Sequence, residues 1–86
     1  MSVFIYMKLM EKFLNHAMSF EEFEKRFLNK FRVESVWLDD ELFKILNEVF
    51  EAIDFCRSDF SELILRKKIN DSLRRLELSY RLRISV

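Results

Sequence analysis

Six carboxylates crowd into the sixteen residues from Asp39 to Asp54: Asp39, Asp40, Glu41, Glu48, Glu51 and Asp54. Two aromatic residues, Trp37 and Phe55, bracket them. Carboxylates at this density can hold a metal, exchange protons with a substrate, or present negative charge to a basic partner. The first use has no support here. No Glu-x-x-His motif accompanies them, which disfavours a di-iron bundle. His16 and Cys56 are single residues of their type, too few for a structural zinc site. A Cys56/His16 nucleophile pair exists on paper, but a buried hydrophobe and a turn residue are the simpler readings. Without any Gly there is no phosphate-cradling loop of the usual kind. The sequence therefore shows no enzyme constellation and calls for no cofactor, metal or small-molecule ligand. Charge presentation remains.

The charge is uneven in a chain that is neutral overall, with 15 basic and 15 acidic residues. Residues 1–33 carry +2, residues 34–62 carry −7, and residues 63–86 carry +5. A charged face turned to solvent is the bland explanation. Its own i,i+4 pairs are few: Lys44 can reach Asp40 or Glu48, while Glu51 and Asp54 have no cation four residues away. Phe55 shares the angular position of Glu41 and Glu48. It is either an interface anchor among acids or a ring that turns back into the core where the helix ends. Trp37 has the same two readings, with a lid over the core favoured.

These side chains must be positioned by helices. The 86 residues suffice for one domain with a modest core. Half of them are hydrophobic, and there is no Gly or Pro, which disfavours a hairpin-rich fold and favours helices with short loops. The apolar spacing predicts four. The first spans about Val3 to Asn15, with Tyr6, Met7, Leu9, Met10, Phe13 and Leu14 on one side and Phe4 and Ile5 outside that arc. Asn15 or His16 then takes the left-handed cap that Gly usually supplies. The second is opened by a Ser19/Glu22 capping box and a Met18/Phe23 staple. It carries Phe20, Phe23, Phe27, Leu28 and Phe31 inward, with Glu24 on the same face, at its edge, paired with a cation such as Lys12, or in a contact surface. The third is capped by Asp39 and stapled by Leu38 and Phe43. Its core side is Leu42, Phe43, Ile45, Leu46, Val49, Phe50 and Ile53. The fourth starts between Ser58 and Ser61 and ends near Arg81, with the stripe Leu65, Ile69, Leu73, Leu76 and Tyr80. Short connections favour antiparallel neighbours, so the expected fold is an all-α antiparallel four-helix bundle.

Two further surfaces compete with the acidic one. Arg66, Lys67, Lys68, Arg74, Arg75, Arg81 and Arg83 form a basic side on the fourth helix. That side supports the alternative of a small helical regulator or adaptor binding nucleic acid. Ile64, Leu78 and Leu82, with Phe4 and Ile5, form a second apolar stripe that can serve as a homodimer seam. One cysteine cannot make an intrachain disulfide, which fits a reducing cytoplasm. The start MSVFIYMKLM lacks a signal peptide's basic region and cleavage site. No run has the roughly 20 apolar residues of a membrane span. The expected location is the cytoplasm, away from membranes.

Three segments, MKLMEKFL, MSFEEFEKRFLNKF and LDDELFKILNEVFEAIDFC, resemble the immunity proteins of colicin-D-type bacteriocins and related contact-dependent toxins. The resemblance rests on Ser19, Glu21, Glu22, Phe23 and Glu24, then on Glu41, Leu42, Phe43, Ile45, Leu46, Phe50 and Cys56. It covers about Met7 to Cys56, with a looser match through LRKKINDSLRRL. Residues 1–6 are thus a candidate N-terminal extension of a domain filling 1–86. The resemblance implies a helical bundle that binds one cognate toxin, typically an RNA-cleaving nuclease domain, without catalysis. A nuclease site attracts phosphate and is basic, so an acidic inhibitor face can occlude it. The expected toxin-binding residues are Asp39, Asp40, Glu41, Glu48, Glu51 and Asp54, with Phe55 and Trp37 as anchors.

Overall fold

The four apolar stripes become four helices: α1 (Ser2–Leu14), α2 (Phe20–Glu34), α3 (Asp40–Asp59) and α4 (Glu62–Ser85). A 3-10 turn, Ser35–Trp37, links α2 to α3. The computed structural model describes the backbone of residues 2–59 and 62–85 and the side chains of residues 3–58 and 62–80. There are no strands among them.

Local chemistry sets the helix ends. His16 adopts φ 60°, the left-handed conformation usually reserved for Gly. Around it the Ala17 N–H donates to the Lys12 carbonyl at 2.8 Å, and the His16 N–H to the Phe13 carbonyl at 3.1 Å. That is the Schellman pattern, and it closes α1 without a glycine. Ser19 caps α2 by accepting from the Glu22 N–H at 3.2 Å. The Glu22 carboxylate does not return the bond; it reaches forward to Arg26 Nε at 2.6 Å. Asp39 caps α3, its Oδ1 accepting from the Leu42 N–H at 2.8 Å.

Aromatic rings from α2 fill the centre. Phe23 and Phe27 are fully buried and Phe31 nearly so. Phe13 of α1 stacks on Phe23 at 4.8 Å, and Tyr6 meets Phe27 edge-on at 5.6 Å. At the other end Phe31 stacks on Phe43 and packs beside Phe50, both from α3, at 5.7 and 5.8 Å. These offset and edge-to-face geometries add to plain burial. Pairings of start with end show that each neighbour runs antiparallel. The end of α1 meets the start of α2 at Phe13 and Phe20, and the end of α2 meets the start of α3 at Phe31 and Phe43. The start of α3 meets the end of α4 at Asp39 and Tyr80. The ring closes where Arg66, near the start of α4, donates to the Phe13 carbonyl at the end of α1 at 2.8 Å. The bundle is an antiparallel four-helix arrangement.

The core follows the expected stripes closely, with three differences. All five apolar positions of the α4 stripe are buried, and a polar one, Ser72, is buried with them. Val3 joins the expected Tyr6 in the core, so residues 3 and 6 are both part of the packed α1. Phe43 and Phe50, expected inside, are 38 % and 39 % exposed. They pack against Phe31 of α2 at the border of the core. Cys56 is buried, and burial, reinforced by Glu62 and Glu24, pushes its thiol up from its ordinary value. A thiol held protonated is a packing residue rather than a nucleophile.

Candidate functional site

α3 carries its polar residues on an arc that α4 covers in part. On the covered flank stand Asp39, Glu41 and Glu48. Glu48 accepts from Lys68 Nζ at 2.6 Å and from Arg75 at 3.0 Å. The Lys68 bond, helped by Arg75, holds the Glu48 carboxyl below the usual glutamate range against the opposing effect of burial. Glu41 accepts from the Ser79 hydroxyl at 2.8 Å. Asp39 is occupied by its cap and receives the Tyr80 hydroxyl at 3.4 Å. These three carboxylates knit α3 to α4, and the charge of Glu48 is matched there by Lys68 and Arg75.

The open part of the arc is different. Asp40, Lys44, Glu51 and Asp54 recur at helical spacing and all are exposed. Lys44 forms no ion pair with Asp40 or Glu48. Among the described residues Asp40, Glu51 and Asp54 have no cationic partner; Glu51 accepts only from the Asn47 amide, at 3.0 Å. This ridge is a line of three carboxylates in water, interrupted by one cation, Lys44. Its flanks are aromatic: Phe43 and Phe50 on the α2 side, Phe55 on the α4 side. α3 continues through Phe55 to Asp59, so the ring does not fold back and stays 48 % exposed. Beside it runs an open groove of about 440 Å³ lined by Glu48, Glu51, Ala52, Phe55, Ile64 and Lys68.

Trp37 is not a lid. It is 83 % exposed at the corner where the 3-10 turn hands over to α3. Of the eight side chains singled out in the sequence, Asp40, Glu51, Asp54 and Phe55 thus share one open surface, Trp37 stands at its head, and Asp39, Glu41 and Glu48 lie along the α4 seam. Sequence reasoning passed over Val33 and Val36 beside Trp37. The available signal was Val33's position outside the Phe stripe of α2. It also missed the partner of Glu24, which is Arg57 of α3 at 2.6 Å rather than Lys12.

Among the described residues the basic side of α4 is not a continuous free patch. Arg66 is spent on the Phe13 carbonyl and lies over the Phe13 ring, 4.3 Å from its centroid. Lys68 and Arg75 are held by Glu48. Lys67 and Arg74 remain exposed, while the side chains of Arg81 and Arg83, like that of Leu82, lie outside the described residues. Phosphate neutralisation needs several free cations in register, and these residues offer two. Among the described residues no group of His, Cys, Asp and Glu is placed to hold a metal, and no helix is long and apolar enough to cross a membrane.

A family model described as bacterial self-protective colicin-like immunity matches residues 1–76, from the start of α1 through most of α4. No curated protein sequence and no solved structure matches the chain. By its family match the chain belongs to the family of bacterial self-protective colicin-like immunity proteins, which are not enzymes but inhibitors of a cognate bacteriocin.

Proposed function

We propose that the toxin is a nuclease of the colicin D type, an RNase or tRNase, and that this protein neutralises it one to one by covering its basic active site with the α3 surface. The supporting observation is the line Asp40, Glu51 and Asp54, exposed carboxylates without a cationic partner among the described residues. A site that binds phosphates must be electropositive, and carboxylates held on a rigid helix can stand where phosphates would sit. Complementary fields of this kind also speed encounter. Phe55, and Trp37 at the head of the ridge, supply the apolar contact that charge alone lacks. Asp39, Glu41 and Glu48 hold α3 at the correct angle on α4 and reinforce the negative field from the seam. Inhibition of an RNA-cleaving enzyme belongs in the cytoplasm, where that RNA is, and contact-dependent delivery of the toxin is compatible with it.

The experiment is a pull-down of the tagged protein from its native organism, with mass spectrometry of what co-elutes. The expected result is a basic nuclease domain encoded by the neighbouring reading frame, bound one to one. Its RNA cleavage then falls to background at equimolar inhibitor. Recovery of nucleic acid, or of this chain alone, from cells shown to express the neighbouring toxin would overturn the proposal.

A further inference from the structure

Three of the four most exposed large apolar side chains in the described residues are neighbours: Val33, Val36 and Trp37, at 72 %, 80 % and 83 %. Their spacing is i, i+3, i+4, and the backbone stays right-handed through Glu34 and Ser35. The three therefore project from one side of the turn. The turn is held at both ends. The Ser35 N–H donates to the Phe31 carbonyl, and Asp39 caps the next helix. Leu38, extended and half-buried, ties the chain back to the core between them.

Single exposed apolar residues are ordinary, but a contiguous group containing a tryptophan marks an interaction site. Tryptophan is enriched where binding energy concentrates, and a rigid support lowers the entropy lost on docking. Family membership supplies the occupant: a cognate toxin. Trp37 also stands three residues before Asp40, the first carboxylate of the acidic ridge, so the corner and the ridge meet at the start of α3. A second copy of this chain fits less well. Twofold pairing through the corner would bring one acidic ridge toward its own copy, and like charges oppose that.

We propose that the Val33–Val36–Trp37 corner is the affinity anchor of the toxin complex, seated in an apolar pocket of the toxin domain that is rimmed by Lys or Arg. The ridge steers and the corner holds. This division of labour rests on the reading that the acidic ridge faces the toxin.

The test measures association and dissociation rates of the intact protein with its purified cognate toxin domain. Trp37→Ala raises the dissociation rate tenfold or more and changes the association rate less than about threefold, as expected for an anchor at the centre of an interface. Trp37→Phe recovers part of the loss. The circular dichroism melt of both variants matches the parent, because the ring is exposed. The triple reversal Asp40→Lys, Glu51→Lys, Asp54→Lys does the converse and slows association. An unchanged dissociation rate in Trp37→Ala, with association slowed in the triple variant, overturns the anchor and leaves the ridge reading intact. No kinetic change in either variant overturns both. If Trp37→Ala instead halves the mass seen by light scattering with toxin kinetics intact, the corner is a self-association seam and the anchor proposal falls.

Discussion

Glu48 and Glu51 are three residues apart on the same helix and meet different fates. Glu48 points along the α3–α4 seam, where Lys68 and Arg75 converge on it. Glu51 points to water and accepts from one amide. About 60° of rotation around the helix separates a carboxylate spent on structure from one left for a partner. The difference extends along both strips. The seam combines its ion pairs with the buried Leu65, Ile69, Leu73 and Leu76. The ridge has no such backing. Stability should therefore reside in the seam and partner recognition on the ridge.

The strongest way to break that division is to cut the seam. Leu76 is fully buried. Leu76→Ala should cost about 2–5 kcal/mol, the usual range for a buried leucine whose cavity cannot fully close. Urea unfolding measures it. A loss under about 1 kcal/mol would mean that α4 repacks freely and that the seam is not where stability lies.

Reversing the ridge comes next. Asp40→Lys, Glu51→Lys and Asp54→Lys together should slow toxin association by about tenfold or more at low salt, with the difference shrinking as salt screens it. The unfolding free energy from urea titration should fall by no more than about 1 kcal/mol, since these are surface changes that cost only the exposed Asn47–Glu51 bond and the Asp40 charge in the first turn of α3. A large stability loss would erase the contrast between the strips.

Glu48→Gln sharpens the comparison at smaller cost. It removes a charge that two cations share, in a position screened by water, so the expected loss is about 1 kcal/mol. A double-mutant cycle with Lys68→Met should return part of it as coupling. Zero coupling would show that the short Lys68–Glu48 contact is not energetically real in solution.

The helices were legible in the sequence because their causes are local. Phe23, Phe27 and Phe31 recur at helical spacing, Ser19 and Asp39 are N-caps, and His16 ends α1 where a glycine would otherwise stand. What stayed hidden depends on contacts distant in the chain. Arg66 reads as part of a basic stripe until its guanidinium meets the Phe13 carbonyl 53 residues away. Glu48 reads as one more exposed acid until α4 supplies cations 20 and 27 residues away. Phe43 and Phe50 fall inside the apolar arc by angle, but angle does not say how far α2 extends over them. Trp37 was ambiguous for a related reason. A loop residue has no helical phase, so nothing local distinguishes a ring folded inward from one turned out.

The pH dependence of stability separates the strips without touching the toxin. Hydrogen bonds from Lys68 and Arg75 lower the Glu48 pKa below the ordinary 4.5. A depressed carboxylate binds protons less readily folded than unfolded, so it contributes stability above pH 4.5. That contribution is lost as pH falls below 4.5 and through the lower folded value. Glu22, also lowered by Arg26, pulls in the same direction, so the parent's melt alone does not isolate Glu48. The informative quantity is the difference between the parent and Glu48→Gln, in which Glu22 cancels. That difference should be largest near neutrality, shrink on acidification through this window, and narrow at high salt because the pair is partly exposed. A difference that stays constant from neutrality down through the window would show that the carboxylate gains nothing from Lys68 and Arg75. Glu48 would then belong with Glu51 on the side of α3 left for the partner.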